Sequence, residues 1–266
     1  MSPRHSRRKT GQAHSPRPCH IYTAKKQNNT AISSTQSCVS LLFVRSPKED
    51  IMADIFDLFK QIAKQNTTPS AAPTHIIAGL GNPGTEYAKT RHNAGFMALD
   101  HLAVKLGTDV SRLKFHALCG DARIGEHRVL LMKPQTFMNL SGDAISEAAA
   151  FYKIPAENIL ILVDDVCQDA GRMRVRGSGS HGGQNGLKSI IQRLGTDKFP
   201  RIRFGVGQKP NPQYDLAAWV LGTLPQADMK KLQSCFPLIE EAAKQIFDGK
   251  IDGAMGLCNG HRPDGE

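Results

Sequence analysis

Residues 75–106, HIIAGLGNPGTEYAKTRHNAGFMALDHLAVKL, decide the fold, because they pass from an apolar run through a glycine turn into an amphipathic pattern. His75–Leu80 shows no polar alternation and reads as a strand buried on both faces. Ala94–Leu106 reads as a helix with Leu99, Leu102, Ala103 and Leu106 on one face, ended by Gly107. A buried strand followed by a helix is the repeating unit of an α/β domain.

Moving outward, the alternation continues. Phe115–Arg123 and Arg128–Met132 flank a Gly-Glu turn and read as paired strands. Ser141–Tyr152 reads as a helix with Ser141 as its N-cap and Ile145, Ala148, Ala149 and Tyr152 inward. Ile159–Val163 is a short apolar strand that ends at Asp164 and Asp165. Arg172–Arg176 alternates basic and apolar residues, as an exposed strand does, and leads into the loop GSGSHGGQNG, residues 177–186. Leu187, Ile190, Ile191 and Leu194 form a helical stripe, Ile202–Val206 a strand, and Pro225–Phe247 a long amphipathic stretch. Residues 73–266 are therefore expected to form one domain.

The first fifty residues differ. They carry nine Lys/Arg against Glu49 and Asp50, a net +7 out of the chain's +10, with Pro3, Pro16 and Pro18 to interrupt any helix. They read as disordered, and residues 1–72 as a basic extension and linker. An acid-poor, Arg- and Ser-rich start also fits an organelle transit peptide. Translated upstream sequence fits better, with the native start at Met52, because Ile55, Leu58, Phe59 and Ile62 place a short helix over residues 53–64.

Composition sets further bounds. At 266 residues and 40% hydrophobic the chain can bury a sizeable core, and it has no uninterrupted apolar run of about 18 residues, so a soluble protein is expected. The six cysteines are scattered without a CxxC pair, which reads as reduced cytoplasmic thiols rather than a disulfide frame or a zinc site.

Chemistry gathers where strands give way to helices. Gly79–Gly84 matches GxGxxG, the dinucleotide-binding fingerprint, but Asn82-Pro83-Gly84 reads as a turn and the helical pattern starts only after Thr90, so no pyrophosphate site is expected. Thr90-Arg91-His92-Asn93 instead places polar side chains where a helix should enter, with His92 near a strand end. A second cluster, Thr136-Phe137-Met138-Asn139, joins a strand to a helix; Phe137 and Met138 read equally well as core plugs and as site lining. Asp164 and Asp165 invite a divalent-cation reading, but no third carboxylate has ligand spacing, and no metal or cofactor is expected. His92, Asp164, Asn82, Asn139 and Asn185 together fit a hydrolase in which a carboxylate orients an imidazole base and amides stabilise an oxyanion. No serine or cysteine has a nucleophile's setting, so direct attack by water is preferred.

In these residues the chain resembles the bacterial-type peptidyl-tRNA hydrolase family. The matching blocks are GLGNPGTEYAKTRHNAGF (79–96), KPQTFMNLSG (133–142), ILVDD (161–165), GSHGGQNGLKSI (179–190) and RIRFGVG (201–207). The resemblance implies a monomeric three-layer α/β domain with a mixed, largely parallel sheet flanked by helices. It implies His92 and Asp164 as the catalytic pair. Asn82 and Asn139 then position ester and water, Asn185 closes the site, and Tyr87 and Met138 line it; Phe137, beside Met138 in the same cluster, is read as a substrate-binding residue with them. The implied partner is peptidyl-tRNA, bound at its acceptor stem and CCA end, with no membrane and no obligate protein partner. The segment Val166–Ala170 departs from the family's usual Leu-Asp-Leu-Pro-like run, and the N-terminal extension has no counterpart.

Given an RNA substrate, the alternating Arg172, Arg174 and Arg176, with Lys188, Arg193, Arg201 and Arg203, read as a phosphate-binding face. Two rival classes fit parts of the pattern. One is an RNA-binding relative that has lost hydrolysis, which the intact polar positions disfavour; the other is a generic esterase or aminopeptidase.

Overall fold

The structure, a computed structural model, describes residues 72–263. The expected extension, the start at Met52 and the helix over residues 53–64 lie outside the described residues.

Seven strands form one sheet: β1 (His75–Gly79), β2 (Arg112–Lys114), β3 (Ala117–Ile124), β4 (His127–Pro134), β5 (Ile159–Asp165), β6 (Met173–Arg176) and β7 (Arg201–Gly205), in the order β2-β3-β4-β1-β5-β7-β6. Its centre, β4, β1, β5 and β7, is parallel. Its edges are antiparallel, β3 against β4, β2 against β3 and β6 against β7. Central β5, ILILVDD, is buried throughout, as its apolar run requires.

Seven helices are described: α1 (Ala94–Lys105), α2 (Ser141–Tyr152), α3 (Asn185–Leu194), α4 (Leu216–Leu221), α5 (Gln226–Ser234), α6 (Ile239–Phe247) and α7 (Ile251–Asn259). Strand parity sorts the core into two halves. Ile77, Leu131, Leu160, Leu162, Ile202 and Phe204 pack with buried residues of α1, α6 and α7. Ile76, Ala78, Leu130, Met132, Ile161 and Val163 pack with α2 and α3. The result is the expected three layers, and each fully buried aliphatic side chain stabilises them by roughly 1.5–3 kcal/mol.

The structure corrects several boundaries. The strand expected from Phe115 starts at Ala117, because Phe115 and His116 both take positive φ (54° and 51°) and form the two-residue turn from β2 to β3. In β6, Met173 and Val175 are buried and only the arginines face outward, so it is a half-buried edge rather than an exposed strand. The stretch expected over Pro225–Phe247 breaks at Pro237, inside a 3-10 turn between α5 and α6. Short β2, α4 and α7 have no clear periodicity; α7 even carries Gly253 and Gly256, and buried Ala254 and Cys258 tie it down.

Two glycines bring the site together. A Cβ on Gly95 would lie 2.3 Å from Leu162 O and 2.6 Å from Leu80 N and O, so only glycine lets the first turn of α1 sit on the ends of β1 and β5. A Cβ on Gly142 would lie 2.4 Å from Ser189 O; without one, α2 packs directly on α3 and the Gly142 N–H reaches Ser189 Oγ at 3.0 Å.

Candidate active site

A cleft of about 630 Å³ opens where the parallel strands end. Asn82 enters it after β1, Phe137, Met138 and Asn139 after β4, Asp164 from the end of β5, and Asn185 from the start of α3. His92 and half-buried Tyr87 complete its polar side, and α4 supplies an apolar wall. Eight of the residues singled out in the sequence thus converge: His92, Asp164, Asn82, Tyr87, Phe137, Met138, Asn139 and Asn185. The GxGxxG run leads into a 3-10 turn, Thr85–Tyr87, and α1 begins only at Ala94, with its first turn packed close on Gly79 and Gly81, so the helix does not start inside the motif as a dinucleotide fingerprint requires.

His92 lies in a 3-10 turn, Arg91–Asn93, that Gly95 holds against the sheet. Its Nδ1 is 3.0 Å from Asp164 Oδ2, and the two residues are only 9% and 2% exposed. A carboxylate only accepts, so Nδ1 carries the proton and the neutral ring keeps its lone pair on Nε2. Burial pulls the imidazole pKa down, but the Asp164 charge and hydrogen bond outweigh it, and the net shift is upward. A buried carboxylate needs more than one donor, and Gln184 Nε2 supplies the second, to Asp164 Oδ1 at 3.0 Å.

Asn82 is fixed from three directions. Its N–H donates to Asn93 Oδ1 and its carbonyl accepts from Asn93 Nδ2, both at 2.9 Å. Its Oδ1 accepts the Met138 N–H at 2.9 Å, which leaves Nδ2, an obligate donor, for a ligand in the cleft. Met138 is 4% exposed with its sulfur 3.2 Å from Gln184 Nε2, whereas Phe137 is 55% exposed at the rim. The two residues that read alike in the sequence therefore part ways. Ser141 is not an N-cap: it is the first residue of α2, and its Oγ donates back to Met138 O at 2.9 Å.

The two acids of β5 also part ways, because successive strand residues face opposite sides. Asp165 Oδ2 accepts from Arg203 Nε at 2.9 Å, Arg174 Nη2 at 3.3 Å and Gln168 Nε2 at 2.8 Å, and Oδ1 accepts the Cys167 N–H at 2.9 Å. Burial pushes the Asp165 carboxyl up, but the Cys167 N–H, the Arg203 charge and Gln168 more than offset it, leaving its pKa lowered. The divergent 166–170 loop thus holds Asp165 through Cys167 and Gln168, and Val166 joins the cleft lining. Among the described residues no group of three or more His, Cys, Asp or Glu is placed to hold a metal ion.

The expected phosphate face shrinks. Arg201 is 2% exposed; its guanidinium donates to the carbonyls of Gly179, Asp197 and Phe199 and stacks on the Phe199 ring at 4.2 Å, so it braces the glycine loop from within. Arg193 pairs with Asp143, and Arg172 turns to His261 O at 3.4 Å. Arg174 and Arg176 remain along the β6 edge, while Arg203, on the interior strand β7, is largely buried against Asp165 and lines the cleft. Sequence reasoning missed Gln184, Asn93 and Asp165 as supports. The available signal for Gln184 was its place just before the apolar stripe of α3, where its side chain caps the helix through Leu187 N.

A three-layer α/β domain with a carboxylate-held imidazole among amide donors at its strand ends belongs with the hydrolytic enzymes. Residues 76–265 match the family model described as peptidyl-tRNA hydrolase. Over 186 residues the chain is 46% identical to peptidyl-tRNA hydrolase of Thermoanaerobacter sp. (strain X514) and 48% identical to that of Caldanaerobacter subterraneus subsp. tengcongensis, in each case across 70% of this chain and 100% of the relative. The crystal structure of peptidyl-tRNA hydrolase from Acinetobacter baumannii superposes with a TM-score of 0.67 at 36% identity, across 71% of this chain and 96% of that one. The chain belongs to the peptidyl-tRNA hydrolase family.

Proposed function

We propose that this chain hydrolyses the ester between a peptide, or an N-blocked amino acid, and the 3′ end of tRNA, with His92 activating the attacking water. Free tRNA and peptide return to translation, and ribosome recycling benefits. The observation that carries the reading is the buried His92–Asp164 pair, whose geometry leaves Nε2 as the free base in a cleft with Asn82 Nδ2. Water gives a proton to Nε2 as its oxygen attacks the ester carbonyl. The tetrahedral oxyanion draws on amide N–H groups of Asn82, Asn139 and Asn185. Collapse breaks the bond to the ribose oxygen, which takes the proton back from His92. A base placed this way contributes roughly 10²–10⁴ in rate.

The proposal includes a monomer acting in the cytoplasm through residues 73–266 alone, with neither metal nor cofactor. No helix among the described residues is long and apolar enough to cross a membrane. The test compares the full chain with one lacking residues 1–51 on N-acetyl-aminoacyl-tRNA, a simple aryl ester and a free peptide, with and without chelator. Chelator-resistant cleavage of the tRNA ester alone is expected, with kcat/KM of the two chains within about tenfold. Binding without cleavage would instead identify an RNA-binding relative, and cleavage of the aryl ester or peptide a generic hydrolase.

The edge arginines make a second prediction. Arg174→Gln with Arg176→Gln should raise KM for charged tRNA and flatten its salt dependence by about 1–2 units of the log–log slope, while kcat holds. An unchanged slope would place the tRNA backbone elsewhere.

A further inference from the structure

The apolar wall of the cleft is poorly anchored by its own sequence. Helix α4 has six residues, too few for a stable helix in isolation, and Leu216 and Leu221 are 41% and 42% exposed. Leu216, Ala217, Val220 and Leu221 nonetheless line the same cleft as His92. What fastens this wall is the residue that precedes the imidazole. Arg91 is 6% exposed, and its Nη1 donates to Trp219 O at 3.4 Å and Thr223 O at 3.2 Å. Its guanidinium carbon lies 3.6 Å from the centre of the Trp219 ring, and its backbone N–H donates to Gly222 O at 3.1 Å. The flanking backbone joins in, with Leu224 N–H on Lys89 O at 2.9 Å and a bridge between Thr90 and Thr223. Trp219 is held at its far end by Gly207 O, 3.1 Å from Nε1.

A buried guanidinium is costly to desolvate, and this one is met by carbonyls and a ring rather than by a hydrogen-bonded carboxylate. The arrangement spends that cost on one result: the base and the apolar wall hang from the same 3-10 turn. On the proposed function the ester lies on the polar side with His92 and the asparagines, which leaves α4 as the apolar wall available to the side chain of the esterified amino acid. We infer that Arg91 is a positioning residue that sets the distance from the base to this wall, and thereby the preference for the amino acid at the ester. The inference rests on the hydrolytic function proposed above.

Gly222 offers a probe that leaves the cleft untouched. Its φ of −70° and ψ of 144° suit any residue, but an added Cβ would lie 2.9 Å from Arg91 Nη1 and push the guanidinium aside. Gly222→Ala and Arg91→Lys are compared with wild type on one tRNA body carrying N-acetyl-leucine or N-acetyl-glycine. In both variants KM for the leucyl ester should rise about three- to tenfold more than KM for the glycyl ester. In Gly222→Ala, kcat on the glycyl ester should stay within about twofold of wild type. Trp219 is the chain's only tryptophan, so its fluorescence reports the clamp directly, and acrylamide should quench it more strongly in both variants. If Arg91→Lys fails to fold, Gly222→Ala alone decides. A wild type active on both esters whose leucyl-to-glycyl KM ratio does not move in the variants overturns the inference and leaves the function standing. A wild type inactive on both overturns the two together.

Discussion

His92→Ala is expected to lower kcat on an N-blocked aminoacyl-tRNA by roughly 100-fold or more, with tRNA binding retained. On the proposed function the ring contributes the base, through Nε2, and alanine offers water no acceptor. Arg174 and Arg203 pair with Asp165 rather than with Asp164, and keep that partner in the variant. Removing the ring leaves Asp164 with Gln184 as its remaining side-chain donor, which should cost about 1–3 kcal/mol of stability. Kinetics are therefore read beside a melting curve and a filter-binding isotherm. Near-normal turnover in a folded, tRNA-binding variant would remove His92 from the chemistry.

Asp164→Asn should act on the same base from behind. In the native site the Asp164 charge overcomes the effect of burial and holds the His92 pKa above its usual value. Without that charge, burial prevails and the pKa falls. The proposed reaction needs neutral imidazole, so the acidic limb of kcat against pH is expected to move to lower pH. Its plateau must also drop, by roughly 100-fold, because a less basic imidazole takes a proton from water less readily. Asparagine brings a second fault. Its single Oδ1 cannot serve both the His92 Nδ1–H and Gln184 Nε2 as the two carboxylate oxygens do, and its Nδ2 favours the tautomer protonated on Nε2. The check is kcat from about pH 5 to 9 for both chains. A limb that stays in place would separate His92 from Asp164.

The parts of this molecule legible in the sequence are those set by short-range pattern. Ser141–Tyr152 is a helix at the expected bounds, and Asp164 ends a strand as its apolar run required. The cleft was legible because its residues sit at strand ends, where a parallel sheet collects them whatever their spacing. Destinations set by distant partners were not. Arg201 and Arg203 look alike in RIRFGVG, yet one meets loop carbonyls inside the protein and the other meets Asp165 beside the cleft. Gln184 acquires its meaning from Asp164, twenty residues back and across a sheet edge. Phe115 and His116 form a left-handed turn without glycine, which no turn residue announced. Ser141 has a capping residue's composition at a capping position, and the preceding 3-10 turn claimed its hydroxyl.

Asp164 and Asp165 are neighbours that look to opposite sides of one strand, toward an imidazole and toward two arginines. The two carboxylates share no side-chain hydrogen-bond partner, so removing the imidazole leaves the contacts of Asp165 in place. On the proposed function, a chain carrying His92→Ala is then a snare: fixed to a bead, it retains peptidyl-tRNA uncut and reports, through the RNA and peptides it draws from an extract, which messages make ribosomes let go.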